Sequence, residues 1–205
     1  METRITFHSG SLVLDGQISP HSRKQAAVIT HPHPLYGGDL ANPVVEAITQ
    51  TYARKGITTL RFNFRGVGRS EGVYANGIGE QEDVLAAIDV LVKSGFRDIH
   101  LAGYSFGAWV NGHITSLPPE VSAMILVSPP VAFMDYSAAP AQPLLKLVIT
   151  GSDDEIAPPE IIKGHLPNWN PESELVVIDD ADHFFFSRFQ QLEEALAKRL
   201  IYQSN

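Results

Sequence analysis

Short apolar runs recur along this chain with helical patterns between them, and that alternation limits the possible folds more than any other feature. Ala26–Thr30, Thr58–Phe64, Ile99–Tyr104, Ala123–Val127, Leu144–Thr150 and Leu175–Ile178 are nearly continuously apolar. Strands read this way when both faces of their sheet are covered. Two earlier segments, Arg4–His8 and Ser11–Ile18, read as a hairpin turning at Ser9–Gly10. Helical signals fill the gaps. Asn42-Pro43 is a cap followed by a first-turn proline, with Val44, Ile48 and Tyr52 at helical spacing and a stop at Gly56. Val84, Ile88, Leu91 and Val92 mark a second helix, ended by Gly95, and a third is expected over Ala108–Thr115. Pro158-Pro159-Glu160 opens a short fourth, and Phe185, Phe189, Leu192, Leu196 and Leu200 form the stripe of a C-terminal helix. The pattern predicts an α/β protein. Its sheet has about eight strands, mostly parallel, with helices on both faces and an N-terminal antiparallel hairpin.

A chain of 205 residues, 44% hydrophobic and 19% charged, can fill one core, so residues 1–205 are expected to form one domain. The formal charge of −8 argues against nucleic acid or an anionic membrane as partner. With no cysteine, a thiol nucleophile, a disulfide, a zinc–thiolate site and an iron–sulfur cluster are excluded. The opening METRITFHSG has no basic start with an apolar stretch behind it, and no apolar run approaches the ~18 residues of a membrane span. A cytoplasmic protein is expected.

Chemistry enters at Gly103-Tyr104-Ser105-Phe106-Gly107. Gly-x-Ser-x-Gly alone is weak, since chance supplies it in roughly one chain of this size in twenty. Here it joins the end of a strand to the start of a helix. That turn forces Ser105 into a strained conformation with Oγ exposed, and the flanking glycines let strand and helix backbones approach. A serine hydroxyl needs a general base, and the base needs an orienting group. His183 follows the run Leu175–Ile178, at the carboxyl end of a strand, where open α/β sheets place their sites. His8, His21, His100, His113 and His165 are less suitably placed. The acid is expected after Leu144–Thr150, where Asp153, Asp154 and Glu155 stand in a row, with Asp182 a lesser candidate.

Acyl transfer also needs donors for an oxyanion. The Phe106 N–H is one. A second is expected from His31-Pro32-His33-Pro34-Leu35-Tyr36-Gly37-Gly38, where the prolines cannot donate. His33, Leu35 and Tyr36 remain, with Leu35 or Tyr36 preferred. His31 and His33 have no third ligand evident in sequence, so no metal is expected. Arg65–Gly72 lacks the spacing of a dinucleotide loop and reads as a structural turn.

Together HPHPLYGG (His31–Gly38), RFNFRGVGRSEG (Arg61–Gly72), GYSFG (Gly103–Gly107), GSDD (Gly151–Asp154) and ADHF (Ala181–Phe184) resemble small bacterial α/β-hydrolases, similar to carboxylesterases and dienelactone hydrolases. The resemblance runs from about residue 25 to the C-terminus. It implies the α/β-hydrolase fold, no cofactor, and a triad of Ser105, His183 and Asp154, because the acid of such proteins closes a G-x-x-D pattern. HPHP departs from the His-Gly of many relatives, which bears on the second oxyanion donor. Many relatives insert a lid after the strand matching Ala123–Val127, but Val131–Pro143 is too short for one. Trp109, Met134 and Phe184, with Phe106 and Tyr36, are candidates to line an apolar pocket. The expected activity is hydrolysis of a small carboxylic ester, thioester or lactone. Acyl transfer by the same triad and a non-catalytic binding protein are the alternatives. Nothing in the sequence fixes the oligomeric state.

Overall fold

The computed structural model describes residues 2–22 and 24–200. The hairpin forms from β1 (Thr3–Ser9) and β2 (Leu12–Ser19), with Ser9 opposite Leu12. Its turn is Gly10–Ser11, one residue later than the sequence suggests. Gly10 alone of the two takes a positive φ, +57°, the type II′ pattern that places glycine first. β3 (Gln25–Thr30), β4 (Thr58–Phe62), β5 (Asp98–Tyr104), β6 (Val121–Val127), β7 (Leu145–Gly151) and β8 (Glu174–Ile178) complete an eight-stranded sheet of order β1-β2-β4-β3-β5-β6-β7-β8. β2 runs antiparallel to both neighbours, and all pairs beyond β4 are parallel. β4 stops at Phe62, short of the expected Phe64. The Asn63 side chain turns to accept from the Leu40 N–H, and the Phe64 N–H turns to His31.

Among the described residues five α-helices pack on the sheet: α1 (Pro43–Arg54), α2 (Ile78–Lys93), α3 (Phe106–His113), α4 (Pro159–Trp169) and α5 (Phe189–Arg199). Asn42 caps α1 by accepting from the Val44 N–H at 2.9 Å, which satisfies one of the donors a helix start leaves open. The strands alternate between two cores. In β3, Ala26 and Val28 join the core under α2, α3 and α4, while Ala27 and Ile29 join the one under α1 and α5. Ile48 and Tyr52 of α1 and Leu192 and Leu196 of α5 are fully buried there. A buried aliphatic side chain is worth about 1.5–3 kcal/mol, so Ile48→Ala would leave a costly cavity. Phe185, assigned to the C-terminal stripe, lies before α5 at φ +56°, though its ring is buried in the same core.

Residues 128–144, between β6 and β7, form no lid. They are tied to α3: Gln142 Nε2 donates to Gly112 O at 2.8 Å, and Trp109 Nε1 donates to Asp135 O at 2.9 Å. The carboxyl ends of β3, β5, β7 and β8 therefore open on one uncovered edge of the sheet.

Candidate active site

β5 delivers Ser105 at φ +53°, ψ −117°, a conformation that strains any residue with a Cβ. The Ser105 N–H donates to Val127 O at 2.9 Å, and its carbonyl accepts from the Trp109 N–H at 3.0 Å. The glycines allow this. A Cβ on Gly103 would lie 2.7 Å from the Gly107 carbonyl group, and one on Gly107 would lie 2.7 Å from that of Thr30.

His183 Nε2 stands 3.0 Å from Ser105 Oγ, and its Nδ1 lies 2.9 Å from both oxygens of Asp154. An ionised carboxylate only accepts, so Nδ1 carries the proton and Nε2 is left to accept from the serine hydroxyl. Asp154 Oδ1 also accepts from the N–H of Ile156 at 3.0 Å and of Ala157 at 2.7 Å. Burial alone would raise the Asp154 pKa, but the bond and charge of His183, helped by Ser128 and the Ala157 N–H, hold it below the usual carboxylate value. Ser105, His183 and Asp154 are all buried. Asp153 is exposed and accepts from Ser152 Oγ. Asp182 does not orient His183: its Oδ1 accepts from the N–H groups of Phe184 and Phe186 and shapes the turn beyond it.

Pro34–Tyr36 form a single 3₁₀ turn in the loop after β3. This turn consumes the two donors preferred from sequence. The Leu35 N–H goes to His33 Nδ1 at 3.2 Å and the Tyr36 N–H to His33 O at 3.1 Å. Neither is free to meet an oxyanion, because the His33 ring takes the first and the His33 carbonyl the second. The N–H groups of His33 and Phe106 donate to no group among the described residues. His31 anchors the loop from below. Its Nε2 accepts from the Phe64 N–H at 3.0 Å and its Nδ1 donates to Pro32 O at 2.7 Å. Burial, with a smaller effect from His33, lowers its pKa to about 4 despite the Pro32 bond. Phe64, just past the end of β4, thus supports the loop after β3.

No family model matches the chain. Its fold and sequence do match solved structures. An α/β serine hydrolase homologue from Coxiella burnetii is 33% identical, with 97% of each chain covered and a TM-score of 0.83. An α/β serine hydrolase without a lid from Xanthomonas campestris is 30% identical over all of this chain and 96% of its own, with a TM-score of 0.87. The chain belongs to the α/β serine hydrolases. An uncharacterized protein of Rickettsia prowazekii is 34% identical over 190 residues, 87% of this hydrolase and 80% of the relative.

Ser105 and His183 of this hydrolase open into a cavity of about 320 Å³, lined by the loop after β3, Asn42, Tyr104, Phe133, Ile156 and Phe184. Phe184 is where the sequence reading put it, and Tyr36 also lines the cavity. Trp109 and Met134 are not there. Trp109 stacks on Phe106, meets the His113 ring at a tilt and bonds Asp135 O, and Met134 packs on the core. The reason lies in the turn at Ser105. Trp109 is four residues beyond it, but Ser105 precedes the helix, so same-face spacing does not carry from one to the other. Phe106 is buried among Phe64, Tyr74 and His33. Phe133 and Ile156 went unnoticed in the sequence, as did Tyr104, whose buried hydroxyl donates to His183 O at 3.0 Å. A buried tyrosine needs a partner for its hydroxyl, which was the signal available. Among the described residues no group of three or more His, Asp or Glu is placed to hold a metal ion.

Proposed function

We propose that this hydrolase cleaves a neutral carboxylic ester of a small substrate, with thioester next, through an acyl-enzyme on Ser105. The observation that carries the reading is the unbroken relay from Ser105 Oγ to His183 at 3.0 Å and on to Asp154 at 2.9 Å. His183 Nε2 takes the hydroxyl proton as Oγ attacks the carbonyl carbon, then returns it to the leaving alcohol. Water repeats the sequence on the acyl-enzyme, with His183 again the base. Asp154 keeps the imidazole in the tautomer with Nδ1 protonated and stabilises the imidazolium. The oxyanion meets the Phe106 N–H and, in place of Leu35 or Tyr36, the His33 N–H. The cavity supports a neutral substrate: among the described residues no Lys, Arg, Asp or Glu lines it. A substrate bearing a free carboxylate would therefore meet no cation there.

The test is labelling with a fluorophosphonate, read by intact mass, beside hydrolysis of p-nitrophenyl butyrate. One adduct is expected on the native protein and none on Ser105→Ala. His183→Ala should be nearly as damaging as Ser105→Ala, Asp154→Asn somewhat less, and Asp153→Asn mild. An unlabelled but folded native protein would point to a non-catalytic binding role.

A further inference from the structure

The Asp154 carboxylate has one oxygen well provided for and one not. Oδ1 takes two backbone N–H groups and faces His183 Nδ1. Oδ2 meets the same Nδ1 and, at 3.3 Å, the Thr150 hydroxyl. That hydroxyl has a single proton, and Ala157 O at 2.7 Å is the nearer acceptor. Thr150 therefore has none left for Oδ2.

Ser128 is placed to supply it. Val127 pairs with Ile149, so Ser128 stands one step on, opposite Thr150. Its N–H donates to Ile149 O at 2.7 Å, and the carbonyl just before it, Val127 O, holds the Ser105 N–H. Ser128 is thus fixed between the nucleophile and the strand that carries the acid. It is fully buried and takes φ +45°, a conformation that costs a non-glycine residue free energy and tends to persist at functional sites. Its Oγ has no partner at full hydrogen-bond geometry among the described residues, and a buried hydroxyl left idle is destabilising. Its place opposite Thr150, whose hydroxyl lies 3.3 Å from Asp154 Oδ2, brings it to the side of that carboxylate, and it counts among the groups that lower the Asp154 pKa. The next two residues are prolines, which offer no N–H in its stead.

We infer that Ser128 is a positioning residue of the triad, donating its hydroxyl to Asp154 Oδ2 and so holding the carboxylate against His183 while the imidazolium forms. The inference rests on the triad reading above. A bond that is loose at rest tightens when charge builds on the pair it serves.

The experiment compares Ser128→Ala and Ser128→Gly, each made in the native protein and in Asp154→Ala. Both lose the hydroxyl, and the glycine variant also relieves the positive φ, so it keeps the test open if the alanine variant folds poorly. In the native background kcat should fall about tenfold or more, as for a bond to a charged group, with KM unchanged. The pH of half-maximal activity should move upward, because a carboxylate with one donor fewer holds the protonated imidazole more tightly. In Asp154→Ala the same substitutions should barely change the slow phosphonylation of Ser105. An equal loss in that background, or an unmoved pH profile in the single variants, overturns the inference. A near-native Asp154→Ala would instead sink the triad reading, and the inference with it.

Discussion

Tyr104 Oη donates to the backbone carbonyl of His183 at 3.0 Å, and their rings lie 5.5 Å apart. The residue before the proposed nucleophile thus holds the residue proposed as the base, across the end of the sheet. Tyr104→Phe keeps the ring and leaves a buried carbonyl unpaired. The loss is about 1 kcal/mol, or roughly fivefold in kcat if it appears wholly in the transition state. Melting should drop by ~2–4 °C, and KM should hold. If kcat is unchanged while stability falls, the bond serves the fold only.

The second proposed oxyanion donor, the His33 N–H, can be removed by a substitution that its backbone accepts. His33 has φ −61°, which proline adopts without strain, and proline carries no N–H. His33→Pro also removes the ring that caps the turn, so His33→Asn is the control: it keeps the N–H and a side-chain acceptor for Leu35. Losing one such donor costs about 10²–10³ in kcat. His33→Pro should show that loss on a folded protein, and His33→Asn should not. Equal activity in the two would return the role to another N–H.

Much of this was legible because burial writes itself into composition. β3 and β7 are apolar on both faces because each face meets a core, and that alone announces a parallel sheet. The elbow at Ser105 was legible because close backbone approach demands glycine on both sides. What escaped depends on side chains bonding to backbone. Striking out prolines leaves His33, Leu35 and Tyr36 and gives no ground to prefer the first, but only the fold reveals that the His33 ring claims the Leu35 amide and its carbonyl the Tyr36 amide. Phe185 fitted a helical stripe because a buried ring obeys the same spacing in a loop as in a helix, and aromatic residues seldom take φ near +56°. Ser128 is invisible in sequence, since nothing marks a serine after a strand as facing a carboxylate two elements away.

Burial of His31 makes stability depend on pH. Its pKa is about 4 in the folded chain, against ~6.5 when unfolded. As pH falls, the unfolded chain takes up the proton first. The penalty is absent above ~6.5, grows through the interval, and is complete below the folded value, where it reaches about 3 kcal/mol. Asp154 acts in the same direction at lower pH. Its folded pKa is depressed, so its contribution is present above the ordinary carboxylate value and is lost only as pH drops through the folded one. Urea denaturation at pH 7, 5.5 and 4.5 should show a steep decline in the native protein. It should be shallower in His31→Gln, whose side-chain oxygen can still accept from the Phe64 N–H. Parallel declines would mean that His31 is not the group responsible.

The open edge of the sheet sets the expected chain-length preference. The segment that would carry a lid is held down by Gln142, by Trp109 through Asp135 O, and by a bond from the Ala132 N–H to Ile156 O at 3.1 Å. Closing it over a substrate would break these contacts without forming others in their place. An acyl chain therefore gains burial only within the cavity of about 320 Å³ and against its rim, where Tyr36 is 84% exposed, Phe133 75% and Phe184 49%. Each methylene fully buried is worth ~0.8 kcal/mol, about fourfold in kcat/KM, but those beyond the rim return to water and gain nothing. On p-nitrophenyl esters from acetate to palmitate, kcat/KM should rise over the short chains and then level or fall. A lid that opens at a lipid surface produces a jump in rate there, and with none to open the rate should cross the micelle limit smoothly. A steep preference for palmitate, or such a jump, would mean that the aromatic rim of Tyr36, Phe133 and Phe184 rearranges into a cover.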